Sequence, residues 1–279
     1  ASSLEGSNPS LSAVGPGRPG TKMSKLRISL ATLFAALAGV AGLAGCGEDE
    51  MPPPIVEPVV APDAAAADSG ADRPRVLEVP SGGNPVVWVR PDKKVELYDQ
   101  PGGKVIGSDG METEFGSRTV YYVDHVRDGW AAVPTPYFEN GRLAWVRLDP
   151  RKLAAGSVDW EIEIDLSDYQ ATLLLNGKRV RTFSVSIGMP GAETPTGRFA
   201  VTDTFRGDLN PAYGCCAVAL TARQTRLPSG WLGGDRIAIH GTSGPLGAAI
   251  SHGCVRAADE DVSELVNKVP PGTPVVIRQ

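Results

Sequence analysis

Residues 171–188 read ATLLLNGKRVRTFSVSIG, two β-type runs joined at Asn176-Gly177. Asn-Gly readily supplies the two positive φ angles of a type I′ turn, so the stretch predicts a tight β-hairpin. Just upstream, VDWEIEIDL (158–166) sets Trp160, Ile162 and Ile164 against Glu161, Glu163 and Asp165. That period of two is the pattern of a strand with one buried face. More β-type runs follow at GRFAVTDTF (197–205), AVALTA (217–222), RIAIHG (236–241) and TPVVIRQ (273–279). One helix is expected, because Val262, Leu265, Val266 and Val269 recur at i, i+3, i+4 and i+7. Asp259 is its candidate N-cap, and Pro270-Pro271-Gly272 ends it. Residues 158–279 are therefore expected to form a mainly β domain with a single helix near the C-terminal end.

Residues 84–153 continue the β pattern in a different rhythm. Short runs such as PVVWVR (85–90), KVELYD (94–99), GWAAVPT (129–135) and LAWVRL (143–148) alternate with turn clusters at Pro101-Gly102-Gly103 and Asn140-Gly141. Short strands at this spacing predict a small all-β barrel. The runs VELYDQPGGKVIG, DGWAAVPT and GRLAWVRL resemble those of bacterial SH3-like domains.

The chain before residue 84 carries no usable apolar period. Residues 46–83 are rich in Pro, Ala and acidic side chains and predict an extended, disordered tether. In MSKLRISLATLFAALAGVAGLAGC (23–46), Lys25 and Arg27 precede an apolar stretch that ends in small residues. This is the pattern of a secretory signal over 23–45, and it is short for a membrane span. Leu43-Ala44-Gly45-Cys46 resembles the lipobox of bacterial lipoproteins, which implies lipidation at Cys46 and an exported protein anchored by lipid in the cell envelope. Residues 1–22 precede a plausible start at Met23 and read as an upstream extension without function.

Composition narrows the partners. The 279 residues carry a net charge of −5, and residues 1–45 hold Arg18, Lys22, Lys25 and Arg27 against Glu5 alone, so the remainder is more acidic still. Nucleic acid and other phosphate-rich partners are disfavoured. With Cys46 assigned to lipid, Cys215, Cys216 and Cys254 remain. An odd thiol in an exported protein points to a reactive role.

The chain has only three histidines, and two of them, His240 and His252, flank Cys254 in RIAIHG (236–241) and ISHGCVRA (250–257). A thiolate is a far better nucleophile than a thiol, so a catalytic cysteine needs a base or an electropositive pocket. His240 ends an alternating strand, and the glycine-bearing loop GTSGPLGAAIS is long enough to bring it back to Cys254. Gly253 leaves room for a substrate carbonyl to approach the backbone, as an oxyanion hole requires. The third histidine, His125, reads as a solvated strand residue. A zinc site made of His240, His252 and Cys254 is chemically feasible but lacks a fourth ligand at a familiar spacing.

His240-Gly241, Leu246-Gly247 and Ser251-His252-Gly253-Cys254-Val255-Arg256 closely resemble the active-site signature of the L,D-transpeptidase catalytic domain, the YkuD family. The likeness spans 158–279, with TPTGRF (194–199) like that family's turn before the next strand. It implies a YkuD-type β-sandwich or barrel and a cysteine-dependent acyltransferase that works as a monomer without cofactor or metal. Carried over, Cys254 is the nucleophile and His240 the general base, steered by a backbone carbonyl. His252, Gly253 and Ser251 complete the catalytic set and its oxyanion hole, while Arg256, Tyr213, Gly241 and Thr242 are the candidate substrate contacts; Arg256 reads first as a loop-fixing ion pair, and Tyr213 as a roof over the groove or a core residue.

The substrate implied is the peptidoglycan tetrapeptide stem. The family cleaves before the terminal D-alanine, holds the acyl group as a thioester and passes it to the side-chain amine of another stem, giving a 3→3 cross-link. Other members use other acceptors or only release D-alanine. Two features depart from the family. Ala257 stands where a larger apolar residue is common, and Tyr213-Gly214-Cys215-Cys216 replaces a Tyr-Gly-Pro-like lip. Adjacent Cα atoms are closer than a disulfide prefers, so Cys215 and Cys216 are expected as buried free thiols, with a vicinal disulfide or a redox role toward Cys254 as alternatives. Two other functions stay open beside the transpeptidase: a wall-binding lipoprotein without catalysis, and a zinc hydrolase.

Overall fold

The computed structural model describes residues 76–207, 209–227, 229 and 234–279. The expected signal segment, Cys46 and the tether up to residue 75 lie outside the described residues. Residues 76–83 belong to the folded body, which differs from the expectation of a free tether. Leu77 and Val79 pack on the first core, and the Leu77 amide donates to the Leu148 carbonyl at 2.9 Å.

The N-terminal module has two small sheets. In the first, β1 (Asn84–Val89) lies between β4 (Val120–Tyr122) and β8 (Leu153–Val158). The second runs β3 (Val105–Asp109), β2 (Val95–Tyr98), β7 (Leu143–Arg147), β6 (Trp130–Pro134) and β5 (His125–Arg127). Val87, Val89, Leu97, Val133, Val146 and Leu153 form the buried layer between them. Because β8 pairs with β1 along its whole length, the module runs to Val158 rather than ending at residue 153.

The rest of the chain is a closed barrel. The strands are β9 (Trp160–Asp165), β10 (Gln170–Leu175), β11 (Lys178–Gly188), β12 (Gly197–Arg206), β13 (Cys216–Arg223), β14 (Arg236–Thr242), β15 (Ala249–Ser251), β16 (Val255–Ala258) and β17 (Pro274–Arg278). Eight of them are ordered β10-β9-β17-β12-β13-β14-β16-β11, and a β10–β11 pairing closes the ring. The short β15 joins β11 in parallel. The predicted hairpin makes the closing pairing: Leu175 faces Lys178, with φ of 50° at Asn176 and 71° at Gly177, both positive as a type I′ turn demands. Ile162 and Ile164 are buried as the alternation predicts, while Trp160 is only half-buried at the rim.

The single helix, α1 (Asp259–Lys268), packs on β13 and β14 and sends Val262, Leu265 and Val266 into the barrel core. Its N-cap is Ala258, which offers no side-chain cap; Asp259 is instead the first helical residue. Asp259, Glu260 and Asp261 place negative charge on the helix N-terminus, where the peptide dipoles favour it. Arg181 of β11 pins the same turn through Asp261, its Nε donating at 2.8 Å.

Module and barrel meet through directional contacts. The Asn140 side chain copies a strand ladder against Arg223, donating to its carbonyl at 2.6 Å and accepting from its amide at 2.9 Å. Arg198 donates to the Tyr122 hydroxyl at 3.0 Å, and Arg236 pairs with Glu114 at 2.7 Å.

Candidate active site

Three neighbouring strands assemble the predicted residues. β14 and β16 run parallel, with Ile239 opposite Val255 and His240 opposite Arg256. Continuing that register by one position sets Cys254 beside Ala238, and the two are packed together in one buried cluster with Tyr213. Side chains two apart on a strand share a face, so His240 and Cys254 project to the same side of this strand pair. On the other flank of β14, His240 is the register partner of Ala217 in β13.

His240 is fully buried. Its Nδ1 lies 2.9 Å from the carbonyl oxygen of Gly241. A carbonyl only accepts, so the ring proton resides on Nδ1 and Nε2 keeps its lone pair. Nε2 is buried without a hydrogen-bond partner among the described residues. Burial lowers the imidazole pKa to about 4; the Gly241 carbonyl works against this, and the nearby Arg256 cation adds to it. At neutral pH the ring is uncharged and able to take a proton.

Cys254 is 5% exposed, with Sγ 4.0 Å from the Arg236 carbonyl oxygen. Serine and glycine set its backbone. The Ser251 hydroxyl donates to the Cys254 carbonyl at 2.6 Å and accepts from the Gly253 amide at 3.0 Å, tying the turn around the thiol. The Gly253 amide is thereby committed to Ser251, so Gly253 contributes shape: its φ is +115°, and a Cβ there would collide with Gln224 Nε2. Tyr213 is buried and rests edge-on against the His240 ring, which makes it a wall behind the imidazole more than a roof over a groove.

The other predicted residues fall in distinct places. Gly241 is buried under the Asp259 carboxylate, where any side chain would clash with Oδ1, and its carbonyl accepts from His240 Nδ1. Thr242 is half-buried, its hydroxyl accepting from the Gly244 amide at 3.0 Å. Arg256 makes no ion pair among the described residues, and its buried Nε has no partner, so a loop-fixing salt bridge is not what holds it. His125 is exposed beside Asp124, far from this chemistry in the first module.

Cys215 and Cys216 are joined in a disulfide, which corrects the expectation of free thiols; neighbouring Cα atoms 3.8 Å apart do accommodate the bridge at the start of β13. Cys254 is thus the cysteine left outside a disulfide among the described residues. No three His, Cys, Asp or Glu side chains converge as a metal set among the described residues, so His240, His252 and Cys254 do not build the zinc alternative.

Three further residues support the site in ways the sequence did not assign to them. Gln224 donates to the carbonyl of His252 at 2.9 Å and of Glu193 at 3.2 Å, clamping the turn before the thiol from outside. Thr194 donates to the Gly253 carbonyl at 2.8 Å while accepting from the Gly188 amide. Asp259 accepts from the Cys215 amide at 3.1 Å.

The site therefore consists of a histidine and a cysteine on one face of adjacent parallel strands in a closed barrel. Residues 159–277 match the model of the YkuD L,D-transpeptidase catalytic domain. The chain is 30% identical over 125 residues to the candidate L,D-transpeptidase YkuD of Bacillus subtilis (strain 168), covering 44% of this chain and 68% of that protein. It is 31% identical over 117 residues to YqjB of the same organism, also described as a candidate L,D-transpeptidase, covering 39% of this chain and 65% of that protein. The crystal structure of L,D-transpeptidase 3 from Mycobacterium tuberculosis aligns with a TM-score of 0.37 at 19% identity, over 49% of this chain and 74% of that one. The chain belongs to the YkuD L,D-transpeptidase family.

Proposed function

We infer that this protein transfers the acyl group of a peptidoglycan tetrapeptide stem through a thioester on Cys254. The observation that carries the reading is the pairing of a neutral, tautomer-fixed His240 with a thiol on the same strand face. Sγ attacks the carbonyl that precedes the terminal D-alanine as its proton passes to His240 Nε2. The C–N bond then breaks, and the imidazolium returns that proton to the departing amine, releasing D-alanine and leaving the thioester. An amine from a second stem attacks the thioester, the C–S bond breaks, the sulfur regains a proton by way of His240, and a 3→3 cross-link results. General acid–base catalysis of this kind contributes about 10²–10⁴ in rate.

Arg256, a cation next to the base with a buried, unpartnered Nε, suits the stem's terminal carboxylate. The N-terminal β module reads as an SH3-like wall contact and Cys46 as a lipid anchor in the cell envelope; tethering raises the effective concentration of an insoluble substrate. Mass analysis of purified tetrapeptide muropeptides after incubation tests the reading: linked dimers and free D-alanine are expected from the wild type and neither from Cys254→Ala. Products made equally by both would remove Cys254 from the reaction, and none from either would leave only the reading of a wall-binding lipoprotein without catalysis.

A further inference from the structure

Asp259 sits where three segments that frame His240 converge. It is the first residue of α1 and follows β16 directly, one position beyond Ala258, the register partner of Thr242 in β14. Its Oδ1 accepts from the Cys215 amide at 3.1 Å, at the lip that leads into β13. The same oxygen occupies the space that a Cβ on Gly241 would take, and that of a Cβ on Gly214 as well.

These contacts bear on one carbonyl. The oxygen of Gly241 accepts from His240 Nδ1 at 2.9 Å, and that hydrogen bond sets the tautomer of the ring. Gly214 has a φ of +62° and packs so closely on the Gly241 carbonyl that its own Cβ would strike both the carbon and the oxygen. The Asp259 carboxylate thus binds the Gly214-Cys215 lip and covers the Gly241 α-carbon, while the lip rests on the carbonyl. The Cys215 sulfur, bridged to Cys216, lies 3.3 Å from the Asp259 carbonyl oxygen and completes the contact.

A role confined to the helix accounts for less of this. Negative charge at a helix N-terminus is favourable wherever it stands in the first turn, and Glu260 and Asp261 already supply it there. Glu260 is exposed and Asp261 is engaged by Arg181, whereas the Asp259 side chain turns back over two glycines. A side chain at either glycine would displace it.

We propose that Asp259 is a positioning residue for His240: its carboxylate ties the Gly214-Cys215 lip against the Gly241 carbonyl, which keeps the ring proton on Nδ1 and the Nε2 lone pair free for the Cys254 proton. This role rests on the reading of His240 as the base toward Cys254, yet the tautomer itself is measurable without any reaction.

Long-range proton–nitrogen NMR spectra of the full chain, labelled with 15N at histidine and assigned with His240→Gln, test it. At neutral pH the wild type should show His240 protonated at Nδ1 alone. In Asp259→Ala both ring nitrogens should move toward a mixture of tautomers. Acylation of Cys254 by a carbapenem should slow at least about tenfold in that variant, since misplacing a reacting group by ~1 Å costs up to about 10²-fold. Asp259→Asn retains an oxygen for the Cys215 amide and should keep the tautomer and most of the rate. Asp259→Ser, shorter but still polar at the helix start, takes the place of alanine if that chain does not fold, with the same loss expected. A lower melting temperature in Asp259→Ala with the His240 spectrum of the wild type would make Asp259 a helix-start residue and overturn the proposal. So would a tautomer mixture in Asp259→Asn equal to that in Asp259→Ala. A wild type that forms no carbapenem adduct defeats the reading of Cys254, not the positioning of His240, which the spectra decide.

Discussion

Tyr213 meets His240 edge to face, with ring centroids 4.9 Å apart and planes at 76°. The contact seals the imidazole from water, and burial is the leading reason its pKa falls to about 4. Tyr213→Ala should rehydrate the ring and raise its pKa toward the ordinary value. Because only the neutral ring accepts a proton, the acid limb of the pH–rate profile should then move to higher pH. Tyr213→Phe retains the aromatic seal and should keep the wild-type limb; a limb that shifts equally in both variants would remove burial as the cause.

The same burial makes stability depend on pH. The unfolded histidine, with a pKa near 6.5, binds protons that the folded one refuses until about pH 4, so stability is full above that window and is lost as pH falls through it. The loss attributable to this group is at most about 3 kcal/mol. Urea midpoints at pH 7.5 and pH 5 should show a drop in the wild type that is smaller in His240→Gln.

Activation of the thiol can be read by mass. A carbapenem should acylate Cys254 and add its mass to the wild-type chain. His240→Ala should slow that adduct by about 10²-fold or more, the low end of general-base effects, and Cys254→Ala should give none. An adduct on Cys254 that forms at full rate without His240 would sever the link between the two residues.

The turn before the thiol has a geometric requirement. Gly253 has φ +115°, and an added Cβ would meet Gln224 Nε2. Gly253→Ala should cost about 1–3 kcal/mol, from backbone strain and the displaced amide together. Gln224→Ala in the same chain should return only the contact part, since the dihedral stays unfavourable, and chemical denaturation of the two variants separates the contributions.

How much of this was legible in sequence differed by kind of interaction. The hairpin at Asn176-Gly177 was readable because turn chemistry is local, and the Ile162–Ile164 face because period two is local as well. That His240 returns toward Cys254 was anticipated from a loop length and a family signature, yet the arrangement that sets their side chains on one face, parallel β14 and β16, is a fact of topology. Gln224 and Thr194 were silent for the same reason: each acts through a backbone carbonyl far along the chain, and nothing in ARQTRL or TPTGRF announces that partner. Asp259 misled as an N-cap because its carboxylate serves the Cys215 amide across the fold instead of its own helix.

The β10–β11 pairing that closes the barrel has a bearing on crowding. A ring of strands has no terminal strand, and the one added to it, β15, is three residues long, so the larger domain offers neighbours almost no row of idle backbone amides to extend. Copies of such a domain can be packed densely without one templating the misassembly of the next.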